Sequence, residues 1–169
     1  VLFVIFQLVI GRLTLNYPQI LGYAAQISPD EIVRLTNARR QEKGLNVLRM
    51  DPQLSAAAAR KAADMVARGY WAHVSPNGTQ PWYFITNAGY QYRYAGENLA
   101  RDFSETGAIV QAWMDSSTHR DNLLNSRYSD IGIAVIDGQL EGHETTLVVQ
   151  MFGTRLSAAP AVTGTKTAI

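Results

Sequence analysis

The sequence has no cysteine. That excludes disulfides, thiolate metal sites and a cysteine nucleophile, and it leaves the compartment open, because many exported bacterial proteins also lack cysteine. An excess of charge is missing as well: 15 basic and 14 acidic residues, spread along the chain, give a formal net charge of +1. Such a balance provides no electrostatic footprint for a nucleic-acid duplex, so no nucleic-acid partner is expected. Nor is there a long hydrophobic run. The most apolar stretch, VLFVIFQLVI at the start, falls well short of the about 20 residues that a helix needs to cross a bilayer. Two readings of residues 1–27 follow. They are the end of a membrane anchor or signal region, which would put the rest outside the cytoplasm and leave a membrane contact open, or they are an arm that packs on the domain.

What is present suffices for one folded domain, since 47% of 169 residues are hydrophobic. Ser28, Pro29 and Glu31 open a helix with a capping-box pattern, and Gly44 ends it. Asp51 and Pro52 open a second helix, with Leu54, Ala58, Ala62 and Met65 on one face and Gly69 at its end. A third, short helix is expected over PWYFITNA. A fourth covers SETGAIVQAWM, with Ser104 as cap and Ile109, Val110 and Trp113 turned inward. YQYRYAGENLA, rich in tyrosine, reads as an extended segment. Near the end the period changes to two, and DIGIAVID and TTLVVQMFG read as a hairpin joined by a wide turn over GQLEGHE. Residues 158–169 are small and polar and read as a flexible tail. Helices first and a hairpin last predict an α+β fold, an antiparallel sheet covered by helices.

Three polar residues stand out within this frame. His73 lies among aromatic residues in YWAHVSPNG; Glu97 lies in AGENLA, an apolar context where an ionised carboxylate needs a partner. His119 follows Ser116 and Ser117, either of which can cap a short helix with the imidazole in its first turn. Each alone has a plain structural reading. Together, two imidazoles and a carboxylate suffice to hold a zinc-like ion with one position open, or to bind a polar head group by hydrogen bonds. There is no HExxH, and the three are 24 and 22 residues apart, so folding must bring them together. Ser75 and Ser117 lie outside any G-x-S-x-G elbow, which argues against a serine hydrolase. Asn77-Gly78-Thr79 matches a glycosylation sequon but reads more simply as a turn. His143 falls in the hairpin connection and is expected in solvent.

Four motifs in this order, YWAHVSPNG, YAGENLA, AWMDSSTHRDNLLNSRYSDIGIAV and VVQMFG, resemble the CAP superfamily: cysteine-rich secretory proteins, insect antigen-five allergens and plant pathogenesis-related proteins. The likeness runs from about Ile32 to Gly153 and is nearest to the bacterial extracytoplasmic SCP-like branch. It implies an α-β-α sandwich for residues 28–157, with the antiparallel sheet between helical layers. It also implies a cleft lined by two histidines and two glutamates. His73 matches the first histidine, Glu97 the glutamate of GENLA and His119 the second histidine. At the second glutamate this chain has Ser116, preceded by Asp115, whose shorter arm leaves it either short of the cleft or acting there through a bridging water.

The resemblance implies His73, Glu97 and His119 as ligands for Zn2+ or another divalent metal. The preferred reading is a secreted or membrane-anchored, non-enzymatic module that takes such an ion or a small polar or lipid ligand, including a cell-envelope component. The alternative is a metal-dependent hydrolase of peptide or cell-envelope polymer, with Glu97 as general base. Ser116 tilts the choice toward binding, because three residues that all hold the ion leave none for proton transfer. A third possibility is that the trio only braces helices against the sheet.

Overall fold

The computed structural model describes residues 26–156. Expectations for the apolar start and the tail from 158 lie outside them, except that Ile27 is buried in the core, one residue before the expected domain boundary. The elements are α1 (Pro29–Gln41), β1 (Arg49–Met50), α2 (Pro52–Arg68), α3 (Pro81–Asn87), β2 (Tyr92–Arg101), α4 (Thr106–Asp115), α5 (Ser117–Leu123), β3 (Asp130–Leu140) and β4 (His143–Arg155). The strands form one sheet in the order β1-β3-β4-β2. β3 pairs antiparallel with β4, and β4 with β2.

The helix starts obey local chemistry. Ser28 accepts from the Glu31 N–H, and Asp51 accepts from the N–H groups of Gln53 and Leu54, so each cap satisfies donors left open in the first turn. α2 closes on Gly69, whose φ of 65° is the left-handed conformation that a C-terminal glycine supplies.

Side chains along the strands alternate between two cores. Leu99, Ala134, Leu147, Val149 and Met151 pack with α2 and α3, whereas Ala100, Ile133, Val148 and Phe152 pack with residues of α1, α4 and α5. The sheet is covered on both faces, which makes this an α-β-α sandwich and explains why consecutive residues of β3 and β4, not only alternate ones, are buried. α2 lies very close on β3. A Cβ at Gly132 would collide with the backbone of Leu54 and Ser55 in the first turn of α2.

Three expectations are corrected. The wide turn is a two-residue one: β3 and β4 stay paired to Leu140 and His143, and Glu141 and Gly142 turn between them at φ of 55° and 82°. Positive φ at both positions matches the twist of the flanking strands. His143 therefore begins β4, although it is exposed as expected. The cap of α4 is Glu105 rather than Ser104; the helix starts at Thr106, whose hydroxyl accepts from the Ser28 N–H and ties α4 to the start of α1. Finally, the sheet is not wholly antiparallel, because β1 runs parallel to β3 through Arg49 N–H to Ser129 O and Asp51 N–H to Ile131 O. Two residues are too few to show a period.

Gly132→Ala is expected to destabilise the domain by about 2 kcal/mol or more, since α2 must lift from the sheet. Urea unfolding should show a lower midpoint with an unchanged slope.

Candidate functional site

The site is built around the edge strand β2. Alternation sends Glu97 to the α2 and α3 layer and its neighbours Gly96 and Asn98 to the other. The Glu97 side chain is 2% exposed, and its Oε1 lies 2.6 Å from Nδ1 of His73, whose side chain is 54% exposed. Its other oxygen, Oε2, is buried with no hydrogen-bond partner. Burial pushes the Glu97 carboxyl above its usual range, opposed by the hydrogen bond from His73 and by the positive charge of Lys61.

On the opposite face, Asn98 donates to the peptide oxygen of His119 at 3.2 Å and to Oε1 of Gln150 at 3.0 Å. Asn122 donates to the peptide oxygen of Glu97 and to Oδ1 of Asn98. Gln150 in turn donates to the Thr36 hydroxyl of α1. These amides fasten α5 to β2 through a buried polar chain in which each member has a partner. Gly96 is required beneath it, because a Cβ there would collide with the Tyr128 ring. Tyr128 instead donates to the Ala95 peptide oxygen. The far end of α5 is held by the buried Arg40, which donates to the carbonyls of Leu123 and Asn125.

His119 sits in the first turn of α5, with Nδ1 2.8 Å from the Ser116 hydroxyl. Burial lowers its pKa, and the nearby His73 lowers it further. The two histidines thus belong to opposite layers, near enough for the charge of His73 to act on His119. Each ring has its Nδ1 engaged. Asp115 does not join them: its carboxylate accepts from Gln111, one turn back on α4. Ser75 faces Asn77 and Thr79, closing a turn through Ser75 N–H to Thr79 O and Thr79 N–H to Asn77 Oδ1. Among the described residues, no three His, Asp or Glu side chains are placed to hold a metal ion directly. Glu97 serves His73 instead.

Sequence reasoning passed over several residues here. Lys61 is fully buried in α2 and donates to Tyr70 Oη at 3.1 Å and to the peptide oxygens of Ala72 and His73 at 2.8 and 2.7 Å. Tyr70 donates to Asp64 at 2.7 Å. A lysine within the apolar stripe of α2 was the available signal. Asn98 and Gln150 carried none, because a sequence does not say which neighbour in a strand faces which layer. Burial raises the Asp64 pKa, but hydrogen bonds from Tyr70 and Arg68 and the charges of Arg68 and Lys61 outweigh it, so the net shift is downward.

Residues 33–152 match the profile of the CAP family, described as the cysteine-rich secretory protein family. The protein named YkwD of Bacillus subtilis is 38% identical over 107 residues, covering 63% of this chain and 42% of that protein. The membrane protein named YlbC of the same organism is 32% identical over 108 residues, covering 64% and 31%. The chain thus spans less than half the length of these relatives. Among solved structures, an extracellular protein with an SCP domain from Bacillus anthracis aligns with a TM-score of 0.63 at 28% identity, covering 75% of this chain and 40% of that one. An outer surface protein of Borrelia burgdorferi shares the fold at a TM-score of 0.63 and 24% identity, covering 77% and 97%. Among the described residues, no helix is long and apolar enough to cross a membrane.

An acid whose folded pKa is lowered contributes stability above its ordinary value, 3.8 for Asp64, and loses it as pH falls through the folded pKa. Asp64→Asn should therefore be less stable than the parent at about pH 7. The two should converge in urea unfolding as the pH falls below 3.8 and through the lowered folded pKa.

Proposed function

The chain belongs to the CAP family, and on that premise we propose that it is an extracytoplasmic, non-enzymatic binding module. Its cleft, formed by His73, Glu97 and His119, takes a divalent ion or a small polar or lipid ligand from the cell envelope. The observation that carries this reading is the buried Glu97 carboxylate, with one oxygen committed to an exposed imidazole and the other unpartnered. A carboxylate behind an imidazole fixes the ring and strengthens its outer nitrogen as a ligand or hydrogen-bonding group. The extracellular and outer-surface descriptions of the structural relatives support the compartment.

Zn2+ or another divalent ion fits the donor set in one way. His73 and His119 would hold it through Nε2, with Glu97 and Ser116 behind them at Nδ1. Such an ion would polarise a bound oxygen and leave further positions for water or ligand. Hydrolysis is the weaker reading, because Glu97 is buried and tied to His73, leaving little room for a general base to reach a water.

Calorimetric titration of the whole chain with Zn2+ tests this reading. Wild type is expected to bind one ion. His119→Ala should abolish binding, and Glu97→Gln should keep the fold and weaken affinity about 10- to 100-fold. Absence of binding in wild type would sink the metal half of the proposal and direct the search to organic ligands. Turnover of peptide or envelope polymer that is lost in Glu97→Gln, with the ion still bound, would replace the module by a hydrolase.

A further inference from the structure

We infer that Lys61 is the positioning residue of the cleft, a buried ammonium that fixes the His73 loop from beneath so that the imidazole meets Glu97. The inference rests on His73 and Glu97 as the working pair, but not on the identity of the ligand.

Lys61 occupies the apolar stripe of α2, among the buried residues Leu54, Ala57, Ala58, Ala62 and Met65, and is itself 0% exposed. An ammonium taken out of water costs several kcal/mol unless it is paired and hydrogen-bonded, and an apolar side chain would fill such a position at lower cost. Core packing therefore does not account for a lysine here. The contacts do. All three of its protons have acceptors: the Tyr70 hydroxyl and the consecutive peptide oxygens of Ala72 and His73. The Tyr70 ring also lies against the ammonium, 4.8 Å from ring centre to Nζ.

The loop needs such an anchor. Ala72, His73 and Val74 are all exposed, so burial of their own side chains does little to set their position. One cation drawing in two successive carbonyls fixes the backbone at the residue that carries the imidazole. From there the ring reaches Glu97 at 2.6 Å. The same ammonium lies close enough for its charge to act on Glu97. Asp64 and Tyr70 hold Lys61 from the other side, so a line of contacts runs from the surface of α2 to the cleft.

The test compares the wild-type chain, Lys61→Met and Tyr70→Phe. Urea unfolding reports the fold, Zn2+ titration the affinity, and nitrogen-15 NMR the state of the His73 ring. Lys61→Met should unfold cooperatively, lose the spectroscopic signature of Nδ1 bonded to a carboxylate, and bind Zn2+ about 10- to 100-fold more weakly. Tyr70→Phe keeps both carbonyl contacts and should lower stability while preserving the His73 signature. A folded Lys61→Met with the wild-type His73 signature would overturn the inference, as would a Tyr70→Phe that loses the signature to the same degree. If Lys61→Met fails to fold, Lys61→Gln, which keeps amide donors without the charge, should weaken the signature, and an unchanged signal again overturns it. If wild type binds no Zn2+, the metal reading fails by itself. The NMR comparison then still decides the role of Lys61.

Discussion

Everything around His73, Glu97 and His119 depends on the period of two in one edge strand. Glu97 and Asn98 are neighbours in β2, and the pleat sends them to opposite faces of the sheet. Glu97 engages the imidazole of His73 from the α2 layer, while Asn98 engages the peptide oxygen of His119 from the α5 layer. A slip of one residue in the pairing of β2 with β4 would exchange these roles and place a carboxylate against the amides of Asn122 and Gln150. The register is protected on both sides. Gly96 admits the Tyr128 ring and Leu99 enters the α2 core, so a shifted strand would meet steric conflict and lose buried area together.

With no cysteine, the layers are joined by polar staples beneath apolar cores. Arg40 donates to four carbonyls, those of Asn46, Leu123, Asn125 and Tyr128, and so joins the end of α1 to the end of α5. Burial lowers its pKa, yet carbonyl oxygens satisfy its donors without a carboxylate. On the other face of the sheet, Tyr90 donates to the buried Asp130, and Arg155 lies over the Tyr90 ring while pairing with Asp51. Each staple links elements far apart in sequence. Replacing one member leaves the other buried and unsatisfied, the costly direction of change.

The sequence was most legible where a rule is local. Ser28, Asp51 and Gly69 mark helix ends by chemistry within a few residues, and the structure places caps at all three. Strand identity followed from the β-branched runs, and the fold class from the order of elements together with the family resemblance. What escaped was non-local or too short. β1 has two residues and no period, and the turn at Glu141 needed a non-glycine residue at positive φ, which composition disfavours. At the site, His73 and Glu97 drew notice as polar residues in apolar surroundings, and the fold joins them. Lys61 shares that property but sits in a helix stripe otherwise read as plain core. Asp115 precedes the position of the family's second cleft glutamate, yet the turn from α4 to α5 carries it toward Gln111, leaving Ser116 beside the imidazole.

The placement of the histidines on separate layers has a mechanical consequence. His73 is carried by the loop after α2 and His119 by α5, and nothing covalent joins these elements except the long path through β2 and α4. A ligand gripped by both rings, as proposed, would be a clasp across the open edge of the sandwich. Whatever pries the layers apart would first have to release it, and an occupant would resist that opening by an amount that grows with the logarithm of its concentration over its Kd. In a chain without disulfides, occupancy would then act as a removable crosslink, strengthening the domain when the ligand is present and leaving the edge easier to open when it is gone.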